Sequence, residues 1–456
     1  MAAPSRAASF FSGIALQATT DLAARGEAIH TTQAGPDPGV IDGVDLRALA
    51  TRVPTPFHAY SASAIRARID ELQSALQGLD ALPCYAVKAN PNGAVLALMA
   101  EAGLGADIVS SGEMRRALRA GIPADRIVFS GVGKTADEVS EALAAGVGRF
   151  NVESRDELHL LQACAASRGT VARAAVRINP DVDAGTHAKI STGKAENKFG
   201  VGLAEARRWF AEADRHPAVR LDGLHMHIGS QLLSLQPLRL ALQRLSAFWR
   251  ELLMAGHAID SIDVGGGLGV AYRHGQERTI RADDYVAAIR QALAGFEGRL
   301  LLEPGRWLVA EAGVLVSRVV RVKHGEQRDF LVLDAAMNDL LRPSLYDAWH
   351  EMVPLHRQAR PMERYDVVGP VCETGDTFAE GRELPACEAG DVVIIAGTGA
   401  YGASMGSTYN SRPLAAEVML DRGRYAVVRR RQRFDEMIAG ERHPGEMTQT
   451  DWEATG

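Results

Sequence analysis

The chain has 456 residues, more than one hydrophobic core ordinarily serves, so two domains are expected. Hydrophobic residues make up 46% and charged residues 23%, an ordinary balance for a soluble globular enzyme, and a net charge of −6 with no basic stripe argues against nucleic acid as a partner. No apolar run reaches the roughly eighteen residues of a membrane span, and the four cysteines (Cys84, Cys164, Cys372, Cys387) form neither a CxxC pair nor a zinc spacing, so they read as reduced thiols of a cytoplasmic protein without a metal.

Residues 1–30 form a weak amphipathic stretch. Asp21, Glu27 and its short apolar run argue against a targeting segment and for a poorly ordered extension. TPFHAYS (55–61) is strand-like. From residue 80, short apolar runs alternate with helical patterns. The runs are 84–89, 106–111, 126–131, 148–154, 174–180, 221–230, 261–267 and 299–305, with helices expected over 94–103, 112–121, 136–146 and 155–169 among others. Eight strands with intervening helices predict a (β/α)8 TIM-type barrel over residues 62–312. The connection 181–220 is long, and a loop of that length at a barrel mouth usually carries function. Past residue 312 the pattern changes to strands with few helices: 313–324, 329–335, 364–369, 391–397, 415–420 and 424–430. This predicts a mainly β second domain of residues 313–456 joined by 31–61.

Barrel chemistry sits at the C-terminal ends of the strands. Those ends carry Lys88, Asp107, Ser110, Asn151, Arg177, His227, Ser230, Gly265 to Gly267, Glu303 and Arg306. Each alone has a bland reading, such as a solvated lysine or a satisfied core histidine. Their convergence on one rim favours a site. Two motifs mislead. SGVGKT (130–135) lacks the first glycine of a phosphate-binding loop, because Val128 stands there. GTGAYG (397–402) fits a dinucleotide fingerprint, but the following ASMGSTYNSRP is a poor helix containing Pro413. GGGLG (265–269) suits close backbone approach to an anion, with N–H groups turned inward.

A lysine, a glutamate, a histidine and a glycine-rich anion site together suggest pyridoxal phosphate. A lysine amine condenses with its aldehyde, and desolvation at a strand end is expected to lower the lysine pKa. Glu303 would keep the pyridine nitrogen protonated, and His227 would stack on the ring.

These residues lie in YAVKAN, GADIVSSGE, HMHIGSQ, DVGGGLG, EPGRWLV, MNDLLRPSLYDAWH, GPVCETGD and GAYGASMGSTYNSRP. In that order, over roughly residues 40–430, the motifs resemble fold-type III pyridoxal-phosphate decarboxylases, and within them the diaminopimelate decarboxylase family. The resemblance implies an alanine-racemase-like barrel plus β domain, an amino-acid substrate, and a homodimer with shared active sites. It implies that Lys88 carries the cofactor, His227 stacks on it and Glu303 meets its nitrogen. It places Ser230, Gly265, Gly266, Gly267, Gly305 and Arg306 around the phosphate, Tyr401 on cofactor and substrate, and Asp107 and Arg177 just behind. Arg342 and Tyr346 are implied to hold a distal carboxylate, with Arg306 also reaching substrate. Cys372 (proton donor) and Glu373 (distal amino group) are implied to come from the other subunit. STGKAENKFG (191–200) resembles the family's substrate-facing loop. Pro54 stands where the family usually has glycine, and Thr398 falls in a variable place.

The activity implied is decarboxylation of meso-2,6-diaminopimelate to L-lysine, the last step of lysine biosynthesis. The rivals are a decarboxylase of ornithine, D-lysine or D-ornithine, an amino-acid racemase, an inactive regulatory homologue, and an NAD oxidoreductase built on GTGAYG. Glu303 opposes the racemase, which would favour arginine at the pyridine nitrogen. Arg342 opposes the cationic substrates, which have no distal carboxylate.

Overall fold

In a computed structural model of the chain, residues 37–183, 198–443 and 445 are described. The first thirty residues and most of STGKAENKFG lie outside them. All eight expected barrel strands form: Ala81–Ala86, Gly105–Ile108, Ile127–Phe129, Arg149–Val152, Ala172–Arg177, Val219–His225, Ser261–Asp263 and Arg299–Leu302. They pair in parallel in chain order, and the last closes on the first with Leu300 opposite Ala81. Each ends before its apolar run does. The first ends at Ala86 rather than Ala89, and the sixth at His225 rather than Ser230. A barrel strand is buried on both faces, and the turn beyond it is buried too, so nothing in the apolar pattern marks where pairing stops.

The expected helices follow on ordinary caps. Ser110 Oγ accepts from the Glu113 N–H, Ser154 Oγ from the Glu157 N–H, and Thr135 with Glu138 closes a capping box. The outer core between strands and helices includes Tyr85, Ile108, Phe129, Phe150, Val176, Leu224, Trp209 and Phe248. Inside the barrel, Leu82, Cys84, Val128 and Leu301 form a small apolar floor. Above it the lumen turns polar: Asp107, Asn151, His225 and Asp263 are each no more than 1% exposed. Buried polar groups cost stability unless paired, so this layer marks the functional end of the barrel.

In the second sheet, Gly313–His324 pairs antiparallel with Phe57–Ser61, Val392–Ala396 and Asp329–Leu333. Ala416–Asp421 lies parallel to Phe57–Ser61 on its other side. Two strands were not visible in the sequence pattern, Met352–Pro354 and Thr377–Pro385. The latter carries Gly381 at φ +55° and the charged residues Glu380, Arg382 and Glu383 at its centre, so no apolar run marks it.

Both misleading motifs have structural uses. A Cβ at Gly399 would stand 1.9 Å from the Val309 carbonyl oxygen, so the glycines of GTGAYG let the β domain pack on the barrel. Two short 3-10 turns, Ala403–Met405 and Tyr409–Ser411, follow them in place of the helix a dinucleotide fingerprint needs. Lys134 of SGVGKT is buried against Glu157 at 2.6 Å and donates to the Gly131 and Asn151 carbonyls. Among the described residues no helix is long and apolar enough to cross a membrane.

Candidate active site

Lys88 stands in the single 3-10 turn Val87–Ala89 that ends the first barrel strand. Asn90 fixes that turn: its Oδ1 accepts from the Asn92 N–H at 3.1 Å, and its Nδ2 donates to the Gly399 carbonyl at 3.0 Å. The ammonium is thereby aimed across the lumen to Asp107, with Nζ 2.9 Å from Oδ2. The side chain is 41% exposed because it projects into a cavity of about 190 Å³, also lined by His227, Ser230, Gly267, Glu303, Arg306, Tyr346 and Tyr401. The expected fall in its pKa does not occur. Burial pulls the value down, but Asp107 and then Glu303 more than offset that, and the net shift is upward.

Glu303 follows the last barrel strand directly. Three groups converge on its Oε1: Ser130 Oγ and Asn151 Nδ2, each at 3.3 Å, and His225 Nε2 at 3.2 Å. The His225 approach is an ion pair rather than an aligned hydrogen bond. Among the described residues no hydrogen bond is formed to Oε2, and Glu303 lines the cavity. Burial raises the carboxyl pKa, but His225 and Lys88 outweigh it and hold Glu303 ionised. His225 is pushed the other way: burial lowers it, while Glu303 and Asp263 raise it overall. Asp263, behind them, is pushed up to about 8 by burial and by Glu303.

His227 lies two residues beyond its strand. Its Nδ1 accepts from the Gly266 N–H at 3.1 Å. Burial lowers its pKa to about 3, so it presents a neutral ring. The glycine run needs correcting. The Gly265 N–H goes to Asp263 Oδ1 and the Gly266 N–H to His227, so those two do not turn inward to an anion. A Cβ at Gly266 would stand 2.1 Å from the Glu303 carbonyl oxygen, and close backbone packing explains that glycine. Gly267 is the one of the three that lines the cavity. Arg306 begins a short helix after Gly305. Its Nη1 donates to Tyr272 Oη at 2.8 Å, and its Nη2 and Nε donate to Ser230 Oγ at 3.1 and 3.3 Å. Its guanidinium also lies over the Tyr401 ring, 4.7 Å from the centroid. Tyr401 itself is held at φ +57°, uncommon for a bulky residue, by its N–H donating to the Ala89 carbonyl.

Arg342 opens the helix Arg342–Tyr346 and is buried, 6% exposed. Its Nη1 donates to His350 Nε2 at 2.8 Å, and its guanidinium stacks 4.2 Å over the Tyr272 ring. No carboxylate of the described residues pairs with Arg342 or Arg306. Arg177 does not line the Lys88 cavity; it pairs with Glu153 at 2.9 Å. Cys372 and Glu373 are exposed on the β domain, and a single chain does not bring them to this cavity.

The sequence reading missed His225, Asp263, Ser130, Tyr272 and His350. Two had a legible signal. In the expected runs His225 stands two residues before His227 and Asp263 two before Gly265, and side chains two apart on a strand share a face. Tyr272 and His350 come from loops far apart in sequence and had none.

These residues fit pyridoxal phosphate: a lysine at the mouth, an unshared Glu303 oxygen for the ring nitrogen, a neutral histidine, and Ser230 with buried Arg306 at the anionic end. The chain matches the model "Pyridoxal-dependent decarboxylase, pyridoxal binding domain" over residues 62–310. It is 46% identical over 404 residues to the diaminopimelate decarboxylase of Zymomonas mobilis, covering 88% of this chain and 96% of that one. It is 48% identical over 401 residues to that of Pseudomonas fluorescens, with the same coverage. The crystal structure of diaminopimelate decarboxylase from Helicobacter pylori complexed with L-lysine superposes with a TM-score of 0.84 at 43% identity, covering 87% of this chain and 99% of that one. Fold and site define a pyridoxal-phosphate enzyme of the barrel-plus-β-domain class. The chain belongs to the diaminopimelate decarboxylase family of pyridoxal-dependent decarboxylases.

Proposed function

We propose that the chain decarboxylates meso-2,6-diaminopimelate to L-lysine and carbon dioxide, the last step of lysine biosynthesis. The observation that carries this is Arg342. A buried guanidinium without a carboxylate partner is an unfavourable arrangement for a fold, and a distal substrate carboxylate would supply the missing charge in its preferred bidentate geometry. Ornithine, D-lysine and D-ornithine have no such group, and the complete lumen set opposes an inactive homologue.

Pyridoxal phosphate, when bound, draws off the electron pair left as carbon dioxide departs and releases it when a proton arrives. Lys88 would hold the cofactor through its amine in the resting enzyme, and Asp107 would keep the ammonium in place while the lysine is released during turnover. Glu303 offers Oε2 to the ring nitrogen, while its other oxygen is fixed by Ser130, Asn151 and His225. His227 provides a neutral face against the ring. Ser230, Gly267, Gly305 and Arg306 bound the phosphate end, with Arg177 acting at longer range. Tyr401 and Tyr346 close the cavity beside the substrate, and Arg342 binds its distal carboxylate. Cys372, as proton donor, and Glu373, at the distal amino group, would reach the site from the partner subunit of a cytoplasmic homodimer; their exposure away from the Lys88 cavity supports this. Of the described residues, 62–183 and 198–312 would make up the cofactor domain, and 37–61 with 313–443 the β domain.

Steady-state kinetics of Arg342→Ala test the substrate. Removing one side of a buried charge pair costs about 2–5 kcal/mol, so kcat/KM for diaminopimelate should fall at least ~30-fold. D-Lysine, which lacks the distal carboxylate, should lose little. Equal losses on both substrates would overturn the assignment.

A further inference from the structure

His350 has no role assigned so far, yet among the described residues it is the side chain that Arg342 hydrogen-bonds. It is buried, at 0% exposure. Its Nδ1 lies 2.7 Å from the Ala396 carbonyl oxygen, which can only accept, so Nδ1 carries the proton. Its Nε2 lies 2.8 Å from Arg342 Nη1, which can only donate, so Nε2 is the acceptor. Together the two contacts require the neutral imidazole in a single tautomer, and no other protonation state satisfies both. The Tyr272 ring completes the seat: Arg342 stacks on its face, and His350 meets it edge-on with centroids 5.1 Å apart. The same tyrosine takes Arg306 Nη1 on its hydroxyl. Tyr272 is therefore a spacer between two buried guanidinium groups, one at its edge and one on its face.

We propose that His350 is a positioning residue that determines specificity: it holds Arg342 through a neutral acceptor, so that the guanidinium is oriented but its charge is left for the distal carboxylate of the substrate. The proposal rests on the diaminopimelate reading above and adds the reason a histidine stands there. An aspartate or glutamate would orient Arg342 equally well, as carboxylates do in most buried arginine sites. It would also neutralise the charge internally, and the substrate carboxylate would then compete with a tethered one. A neutral seat avoids that competition. The nearby charged groups do not alter the argument. Arg306 and Arg382 both face His350 and favour its neutral form, as burial does. Glu351, the next residue in the chain, accepts from Trp349 Nε1 rather than turning to Arg342.

The test compares two variants of the holoenzyme that are nearly equal in size and differ in charge, His350→Gln and His350→Glu. Each is assayed with meso-diaminopimelate and with D-lysine, and cofactor content is read from the absorption spectrum. His350→Gln keeps a neutral acceptor and should hold KM for diaminopimelate within about threefold of wild type. His350→Glu should raise that KM at least tenfold while kcat stays within about threefold, and should leave the D-lysine KM unchanged or lower. A charge effect on binding moves KM and spares kcat, whereas a folding defect lowers cofactor content and activity on both substrates together. Equal KM for the Gln and Glu variants, or a Gln variant as impaired as the Glu variant, overturns the proposal. If either variant does not fold, the same contrast is read from His350→Asn and His350→Asp. Absence of diaminopimelate turnover in the wild type is a different outcome: it refutes the substrate assignment itself.

Discussion

Replacing Glu303 with glutamine probes the centre of the site with almost no change in shape. The amide oxygen can keep the Oε1 position and the approach of Ser130, Asn151 and His225. The amide nitrogen then takes the Oε2 position, so the cavity meets a donor where it had an ionised acceptor. The lost term is the attraction between Glu303 and a proton on the cofactor ring. For unit charges about 4 Å apart at an effective dielectric near 20 that term is about 4 kcal/mol, close to three pKa units of the ring nitrogen. A ring deprotonated at neutral pH is a weaker electron sink, and kcat should fall by about two to three orders of magnitude. His225 responds as well. Its pKa is raised by Glu303 and Asp263 against burial, so without the carboxylate it should become neutral, which limits the loss of stability. Carbon dioxide release at saturating substrate measures the first effect, and NMR titration of the imidazole the second. A Glu303→Gln enzyme with kcat within threefold of wild type, cofactor bound, would refute this role for Glu303.

Asp263 makes a prediction about pH. Its carboxyl is pushed from 3.8 to about 8, so folding takes up a proton there; the resulting stability is present below the unfolded value and is lost as pH rises toward the folded one. Melting temperatures between about pH 5 and pH 8 should therefore fall in the wild type and fall less in Asp263→Asn. Parallel curves would contradict this. The proposed sharing of active sites between two subunits predicts complementation: Lys88→Ala and Cys372→Ala, each inactive or nearly so, should regain up to roughly a quarter of wild-type activity when dissociated and reassociated together, because hybrid dimers would hold one intact site. No recovery would place Cys372 outside the site.

The order of elements was legible because a barrel writes each strand and helix into a short local pattern. Gly313–His324 matches its apolar run end to end. Strand ends inside the barrel were not legible, since the apolar residues continue past them: Val87 and Ala89 beside Lys88, Met226 and Ile228 beside His227, and Val264 before the glycines are all buried. Arg342 stood out only through the family resemblance, whereas the lysine, glutamate, histidine and Arg306 of the site could be picked out because each stands as a polar residue at the end of an apolar run. Their electrostatics could not. Whether Lys88 is pushed up or down depends on Asp107 and Glu303, which lie far along the chain and come together only when the barrel closes. Tyr272 and His350 were invisible for the same reason, because what they do is defined by Arg342 and Arg306.

The account stands most directly on one assay. Purified holoenzyme is incubated with meso-2,6-diaminopimelate, and carbon dioxide and the configuration of the lysine formed are measured beside Lys88→Ala. The account predicts equimolar carbon dioxide and L-lysine from the wild type, and from Lys88→Ala neither product nor cofactor retained through gel filtration. A wild type that releases no carbon dioxide, or a Lys88→Ala variant that turns over like it, would contradict the account.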